Sequence, residues 1–241
     1  MTFISVNMTE GTTAVEETPQ AYRELGGRGL TSVMINREVP PECDPLGPEN
    51  KLIFAPGLLS GTPLVNTSRI SIGAKSPLTG GIKESNAGGT VAASLGKMGI
   101  DAIVVTGAAP EDALYILRVG PDGNVSLDPA DDYKGMRTYA LVTDLLAAYG
   151  EKKGIMCRGP AGEFKLSSAS IQTTDVDGRP CRAAGRGGMG AVMGAKGLKA
   201  IVVDSRVKAE KAIDDPAAFK EAVKVFADAV KKNPFSGQTL R

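Results

Sequence analysis

The feature that most constrains this sequence is that part of it is written twice. Residues 89–105 align on residues 187–203 at an offset of 98, matching Gly89/Gly187, Ala93/Ala191, Gly96/Gly194, Gly99/Gly197 and the run Ala-Ile-Val-Val at 102–105 and 200–203. Each copy reads as a glycine-rich loop, a small-residue helix, a glycine turn and an apolar strand. Four consecutive strand identities exceed what shared Gly and Ala content produces. The chain is therefore expected to contain two related halves, each presenting a glycine loop at the start of a helix.

Local patterns fill in the rest. β-rich runs bounded by Gly or Pro predict strands at 3–7, 52–55, 69–74, 102–106, 114–119, 155–158 and 200–204. Thr18-Pro19 reads as cap and first residue of a helix over 18–39, weakened in its middle by Gly26-Gly27 and Gly29. A second helix is predicted over 137–149, with Val142, Leu145, Leu146 and Tyr149 on one face. The clearest begins at Asp215-Pro216. There Phe219, Val223, Phe226 and Val230 recur at helical spacing opposite Lys220, Lys224, Lys231 and Lys232. It follows the charged stretch 206–211, so it is expected to open a second unit needing a partner surface.

Composition narrows the chemistry. Lys and Arg number 28 against 27 Asp and Glu, a balance that argues against nucleic acid as a partner. The chain has no histidine, which removes Ser-His and Cys-His dyads, an imidazole base and any His-containing zinc site. Cys43, Cys157 and Cys181 lack C-x-x-C spacing and read as isolated reduced thiols, although Cys43 and Cys181 sit beside charged residues. Asp131, Asp132, Asp175 and Asp177 lack the pattern of a calcium loop and read as solvated loop acids. The first residues carry neither a basic start nor an apolar run suited to a signal peptide or anchor, so a cytoplasmic protein without membrane contact is expected.

The 30 glycines concentrate the remaining interest at 182–190, where Arg182-Ala183-Ala184-Gly185-Arg186-Gly187-Gly188-Met189-Gly190 runs into a small-residue helix. Gly185, Gly187 and Gly190 satisfy G-x-G-x-x-G, and Asp204 lies nineteen residues after Gly185, but the polar text before the loop does not read as the strand a dinucleotide fold requires. A P-loop is a weaker match still, because no Gly-Lys-Ser/Thr appears. What remains is a site for phosphate or another anion, built from unobstructed backbone N–H groups flanked by Arg182 and Arg186. Ser85-Asn86-Ala87-Gly88-Gly89 is its counterpart in the first copy, with Asn86 able to donate to and accept from a polar heterocycle. A non-catalytic nucleotide- or anion-binding module and simple tight turns are the alternatives that these loops leave open.

These same residues carry a family resemblance. The stretches 44–53 (Asp-Pro-Leu-Gly-Pro-Glu-Asn-Lys-Leu-Ile), Gly61-Thr62, 75–81 (Lys-Ser-Pro-Leu-Thr-Gly-Gly), 85–89 and 182–194, with Gly26-Gly27-Arg28-Gly29-Leu30, resemble the N-terminal domain of the tungsten-dependent aldehyde ferredoxin oxidoreductases, in order and over nearly the whole chain. The resemblance implies an α+β fold, a β-rich domain of two pseudo-symmetric sheets with a few flanking helices, spanning 1–207. Residues 208–241 would then be the first helix of a following helical domain. It implies a tungsten or molybdenum bis-pterin cofactor on Arg69, Asn86, Gly88, Arg182, Ala183, Ala184, Gly185 and Gly187, with carbonyls of Asn86 and Ala183 holding a Mg²⁺ between two phosphates. It further implies a [4Fe–4S] cluster with ligands outside this chain, beyond Arg69, since Cys43, Cys157 and Cys181 do not supply C-x-x-C-x-x-x-C. The expected partners are an aldehyde substrate, ferredoxin, the C-terminal helical domains and, as a candidate, a second copy of the chain. Alone, these 241 residues are expected to be inactive.

Overall fold

The duplication covers the whole folded unit. In the computed structural model, which describes residues 1–204, 206 and 211–236, the first half runs β1 (Thr2–Asn7), β2 (Thr12–Glu17), α1 (Gly27–Glu38), β3 (Leu52–Pro56), β4 (Ile70–Lys75), β5 (Ile82–Ala87), α2 (Val91–Lys97) and β6 (Ile100–Thr106). The second half runs β7 (Tyr115–Val119), β8 (Val125–Pro129), α3 (Thr138–Tyr149), β9 (Lys153–Cys157), the single-turn α4 (Pro160–Glu163), β10 (Ile171–Thr173), β11 (Arg182–Ala184), α5 (Met189–Ala195) and β12 (Leu198–Asp204). One six-stranded sheet is ordered β2-β1-β6-β3-β4-β5; the other, taken from its matching edge, is β8-β7-β12-β9-β10-β11. In each, the first and last strands of the half pair in parallel, and the other described neighbours are antiparallel. The α+β fold of two pseudo-symmetric sheets is thus observed.

The central strands are largely apolar because both of their faces are covered, although Ser71, Asp101, Lys199 and Asp204 are buried among them. Ile4, Leu52, Phe54, Ile103, Met156, Ile201 and Val203 point into one core between the sheets, together with Val91 and Leu95 of α2 and Val192 and Met193 of α5. Alternate residues point outwards: Phe3, Ile53, Ala55, Ala102 and Val104 meet Leu30, Met34 and Ile35 of α1, while Ile116, Ile155, Cys157, Ala200 and Val202 meet Leu141, Val142 and Leu145 of α3. A fully buried residue of these types contributes about 1.5–3 kcal/mol, so the shared middle core dominates the cohesion of the halves. The repeated glycines serve this core. A Cβ on Gly96 would lie 2.0 Å from the carbonyl oxygen of Ser60, and one on Gly194 only 1.8 Å from that of Gly162, so neither helix could enter the gap with a side chain there. Gly99 and Gly197 turn each helix into its strand at φ of 72° and 75°, in the left-handed region that favours glycine.

All seven predicted strands are present. The five that periodicity did not reveal, β2, β5, β8, β10 and β11, are short or polar and lie at or beside sheet edges. The helix expected from Thr18 begins instead at Gly27, after a 3₁₀ turn at Gln20–Tyr22. Thr18 is not its cap: the hydroxyl is buried and donates to Asp101 at 2.7 Å, because the chain must first cross the end of β1. The helix α3 begins one residue later than expected, after Arg137. The last helix, α6 (Pro216–Lys232), is capped by Asp215, which accepts from the Ala218 amide at 2.9 Å, and none of its residues is buried. The boundary expected at 207/208 and most of the charged stretch 206–211 lie outside the described residues. Among the described residues, no helix is long and apolar enough to cross a membrane.

Candidate functional site

The outermost strands β5 and β11 come from opposite halves and approach one another. As sheet edges, each leaves a row of backbone amides and carbonyls without ladder partners in its own sheet. Pairing places Asn86 opposite Ser71 and Ala183 opposite Gln172, and Ser71 and Gln172 in turn oppose Ala55 and Cys157. Asn86 and Ala183 therefore hold the same register position in the two sheets. Beside them opens a groove of about 630 Å³ lined by Arg69, Gly88, Gly89, Asp175, Cys181, Arg182 and Ala183, among others.

Of the residues singled out from the sequence, Arg69, Gly88, Arg182 and Ala183 line this groove. Asn86 stands behind it and accepts a hydrogen bond from Arg69 Nε. Gly185 is exposed on the following loop, whereas Ala184 and Gly187 are buried, Ala184 in the inter-sheet core. Asn86 is itself held in place: its Nδ2 donates to Ser71 Oγ at 3.1 Å, Ser71 donates to Glu84 Oε1 at 2.7 Å, and Glu84 lies 3.4 Å from Arg28 Nε. This chain of contacts fixes Arg69 from beneath. Ser71 and Glu84 escape a reading by motif because they sit on polar strand text without apolar alternation; pairing them across β4 and β5 is what exposes their role.

The acids that line the groove beside Arg69 and Arg182 are already engaged within the protein. Asp175 Oδ1 accepts from the amides of Asp177 and Arg179, both at 3.0 Å, and Oδ2 accepts from Cys181 Sγ at 3.1 Å. Those donors, the thiol foremost, hold the carboxyl below its ordinary range, and the same bond pushes the Cys181 thiol up. Asp177 faces Arg179 at 3.7 Å. The Arg182 side chain has no hydrogen-bond or ion-pair partner among the described residues, so its charge is open to a ligand. A dianion or a pair of phosphates fits such a donor set of two guanidiniums and free backbone edges.

Topology bears on the dinucleotide pattern in the glycine loop. Gly185-x-Gly187-x-x-Gly190 does follow a strand, contrary to expectation, but that strand is the three-residue antiparallel edge β11 rather than the parallel strand of a dinucleotide fold. Asp204 is buried and engaged by Lys153 and Arg206, which with its amide contacts hold it well below the carboxylate range. Asp131 accepts from the Leu114 amide at 3.2 Å and serves a turn. Cys43 and Cys157 are buried, and burial pushes Cys157 up to about 12.

Comparison with known proteins agrees with this architecture. The model of a family described as aldehyde ferredoxin oxidoreductase, N-terminal domain, matches residues 3–205. The chain is 39% identical to the tungsten-containing aldehyde ferredoxin oxidoreductase of Pyrococcus abyssi, over 98% of this chain and 38% of that protein. It is 38% identical to the one of Pyrococcus furiosus, over 99% and 38%. It is 31% identical to the aliphatic sulfonate oxidoreductase, WOR-like subunit, of Pyrococcus furiosus, over 90% and 35%. Among solved structures, the active site complex BamBC of benzoyl coenzyme A reductase, in complex with 1,5-dienoyl-CoA, superposes with a TM-score of 0.87 at 32% identity, covering 95% of this chain and 34% of that one. The chain thus spans about two fifths of the length of the curated relatives it matches.

Proposed function

The chain belongs to the family of aldehyde ferredoxin oxidoreductase N-terminal domains, and from that premise we propose that it is the base on which a tungsten, or molybdenum, bis-pterin cofactor lies in an enzyme oxidising an aldehyde to a carboxylic acid with ferredoxin as acceptor. The observation that carries the reading is the groove between β5 and β11, where Arg182 presents a guanidinium unpaired among the described residues beside Arg69, Gly88 and Ala183.

In this reading Arg69 and Arg182 grip and neutralise the phosphates, each guanidinium offering two parallel N–H donors. Gly88 lets a ligand approach the backbone. The carbonyls of Asn86 and Ala183, at matched positions on two sheet edges, supply hard oxygen ligands to a Mg²⁺ that offsets phosphate repulsion. When bound, the tungsten centre supplies the two-electron redox chemistry. The protein's share is placement and charge balance, consistent with a chain that has no histidine to act as a base. The [4Fe–4S] ligands, the substrate pocket and the ferredoxin contact are assigned to the part of the protein beyond these residues, with α6 as the opening of a helical domain starting near 208 and a homodimer as the assembly. A cytoplasmic location goes with that partner set.

The test is metal and pterin analysis of the full-length protein, together with a search of the downstream coding sequence for C-x-x-C-x-x-x-C in frame. Tungsten or molybdenum with pterin is the expected content; a folded full-length protein containing none of them would overturn the reading.

A further inference from the structure

Four polar contacts hold the loops that lead into α2 and α5, and each runs from one half of the molecule to the other. Thr173 Oγ1 on β10 donates to the Gly88 carbonyl at 2.7 Å, and the Thr90 amide donates to the Thr174 carbonyl at 3.1 Å. In the opposite sense, Ser85 Oγ on β5 accepts from the Arg186 amide at 3.0 Å, and Ser76 Oγ, just past β4, donates to the Gly187 carbonyl at 2.7 Å. Each glycine loop is thus held by the hairpin of the other half. Thr173, Ser76 and Ser85 are all buried, where a hydroxyl keeps its partner because water is not there to replace it.

Thr173 has a particular place in this exchange. It is the cross-strand partner of Arg182, and its side chain reaches the wall formed by Gly88. A Cβ on Gly89 would lie 2.3 Å from Thr173 Oγ1, so the loop's approach depends on that glycine. One residue therefore ties the strand carrying Arg182 and Ala183 to the loop carrying Gly88. We propose that Thr173, with Ser85 and Ser76 acting in the reverse direction, is a positioning residue. These hydroxyls form a reciprocal clamp that sets the spacing of the two loops and so the fit of a ligand with two anionic ends. The ligand half of this proposal rests on the anion-site reading above; the clamp itself does not.

The experiment compares the wild-type chain with Thr173→Val, Thr173→Ser and Ser85→Ala, measuring amide hydrogen exchange without ligand, affinity for magnesium pyrophosphate by calorimetry, and thermal unfolding. Thr173→Val should speed exchange at residues 88–90 about tenfold without altering α1 or α3. It should also weaken pyrophosphate binding about fivefold, the worth of one hydrogen bond, and Thr173→Ser should restore both. Ser85→Ala should act on residues 186–188 instead, which keeps the test open if Thr173→Val does not fold. Unchanged exchange in the opposing loop, a rise spread evenly over the chain, or unchanged affinity in a variant whose loop has loosened would overturn the proposal. Loosened loops in a chain whose wild-type form binds no pyrophosphate would uphold the clamp and overturn the anion-site reading.

Discussion

Asn86 in the first half and Ala183 in the second share a register position, yet the guanidinium beside each has a different origin. Arg69 precedes β4 where the second half has Ser170, and Arg182 lies on β11 where the first has Ser85. The same divergence recurs away from the groove. Asp101 is a buried anion served by Thr18, while its counterpart Lys199 is a buried cation paired with Glu163; Met98 corresponds to Lys196, whose ammonium caps the carbonyls of Gly47, Pro48 and Asn50. The backbone preserved the two-fold arrangement because sheet pairing and the shared core require it. The side chains departed from it, so that the two halves present chemically different groups at matched positions.

The backbone symmetry is most severely tested at its helices. Gly194→Ala and Gly96→Ala should each abolish folding or destabilise it by more than about 4 kcal/mol, because the added methyl has only a carbonyl to displace. Circular dichroism and soluble yield would show this, and a mild effect at either site would break the equivalence of α2 and α5. The buried charges should then separate the halves. Glu163→Gln strands the buried Lys199 and Arg158 and should cost about 3–5 kcal/mol in urea unfolding. Thr18→Val, which takes one hydrogen bond from Asp101, should cost about 1–3 kcal/mol. Equal losses would mean that the second half's ion cluster is less buried than it stands.

At the groove, Arg69→Ala and Arg182→Ala should each weaken magnesium pyrophosphate binding about tenfold to a hundredfold, with unfolding unchanged. Loss at only one would sharpen the asymmetry into a one-ended site. The smallest effect is one of pH. Burial lowers Lys196 to about 8 from its ordinary 10.5. Between those values the unfolded chain binds the extra proton, so stability should rise with pH, by about 1 kcal/mol from about pH 8 to about pH 9. Lys196→Met, which installs the first half's residue, should remove that rise in denaturation midpoints measured across the window.

Much of the fold is legible in the amino-acid sequence. The central strands announce themselves because both faces are buried and their residues are largely apolar, and the matched glycines of 89–99 and 187–197 mark where helices press against backbone. The edge strands β5 and β11 are not legible, because short, partly exposed edge strands with polar residues carry no apolar alternation. Arg69, Gly88, Arg182 and Ala183 follow from motif resemblance, whereas Thr173, Ser71 and Glu84 lie in no motif and act across distances of many residues.

By itself, the sequence determined that two related halves exist, that glycine must stand at their helix turns, and that no histidine is present to serve any site in this chain. Only the tertiary structure decided that the repeat spans both sheets, that Asn86 and Ala183 coincide in register, and that each half's hairpin holds the other's loop. The physical reason is range. Backbone conformation and burial pattern are set by neighbours along the chain, while the groove's charge and spacing come from groups that meet only when two sheets close on a common core.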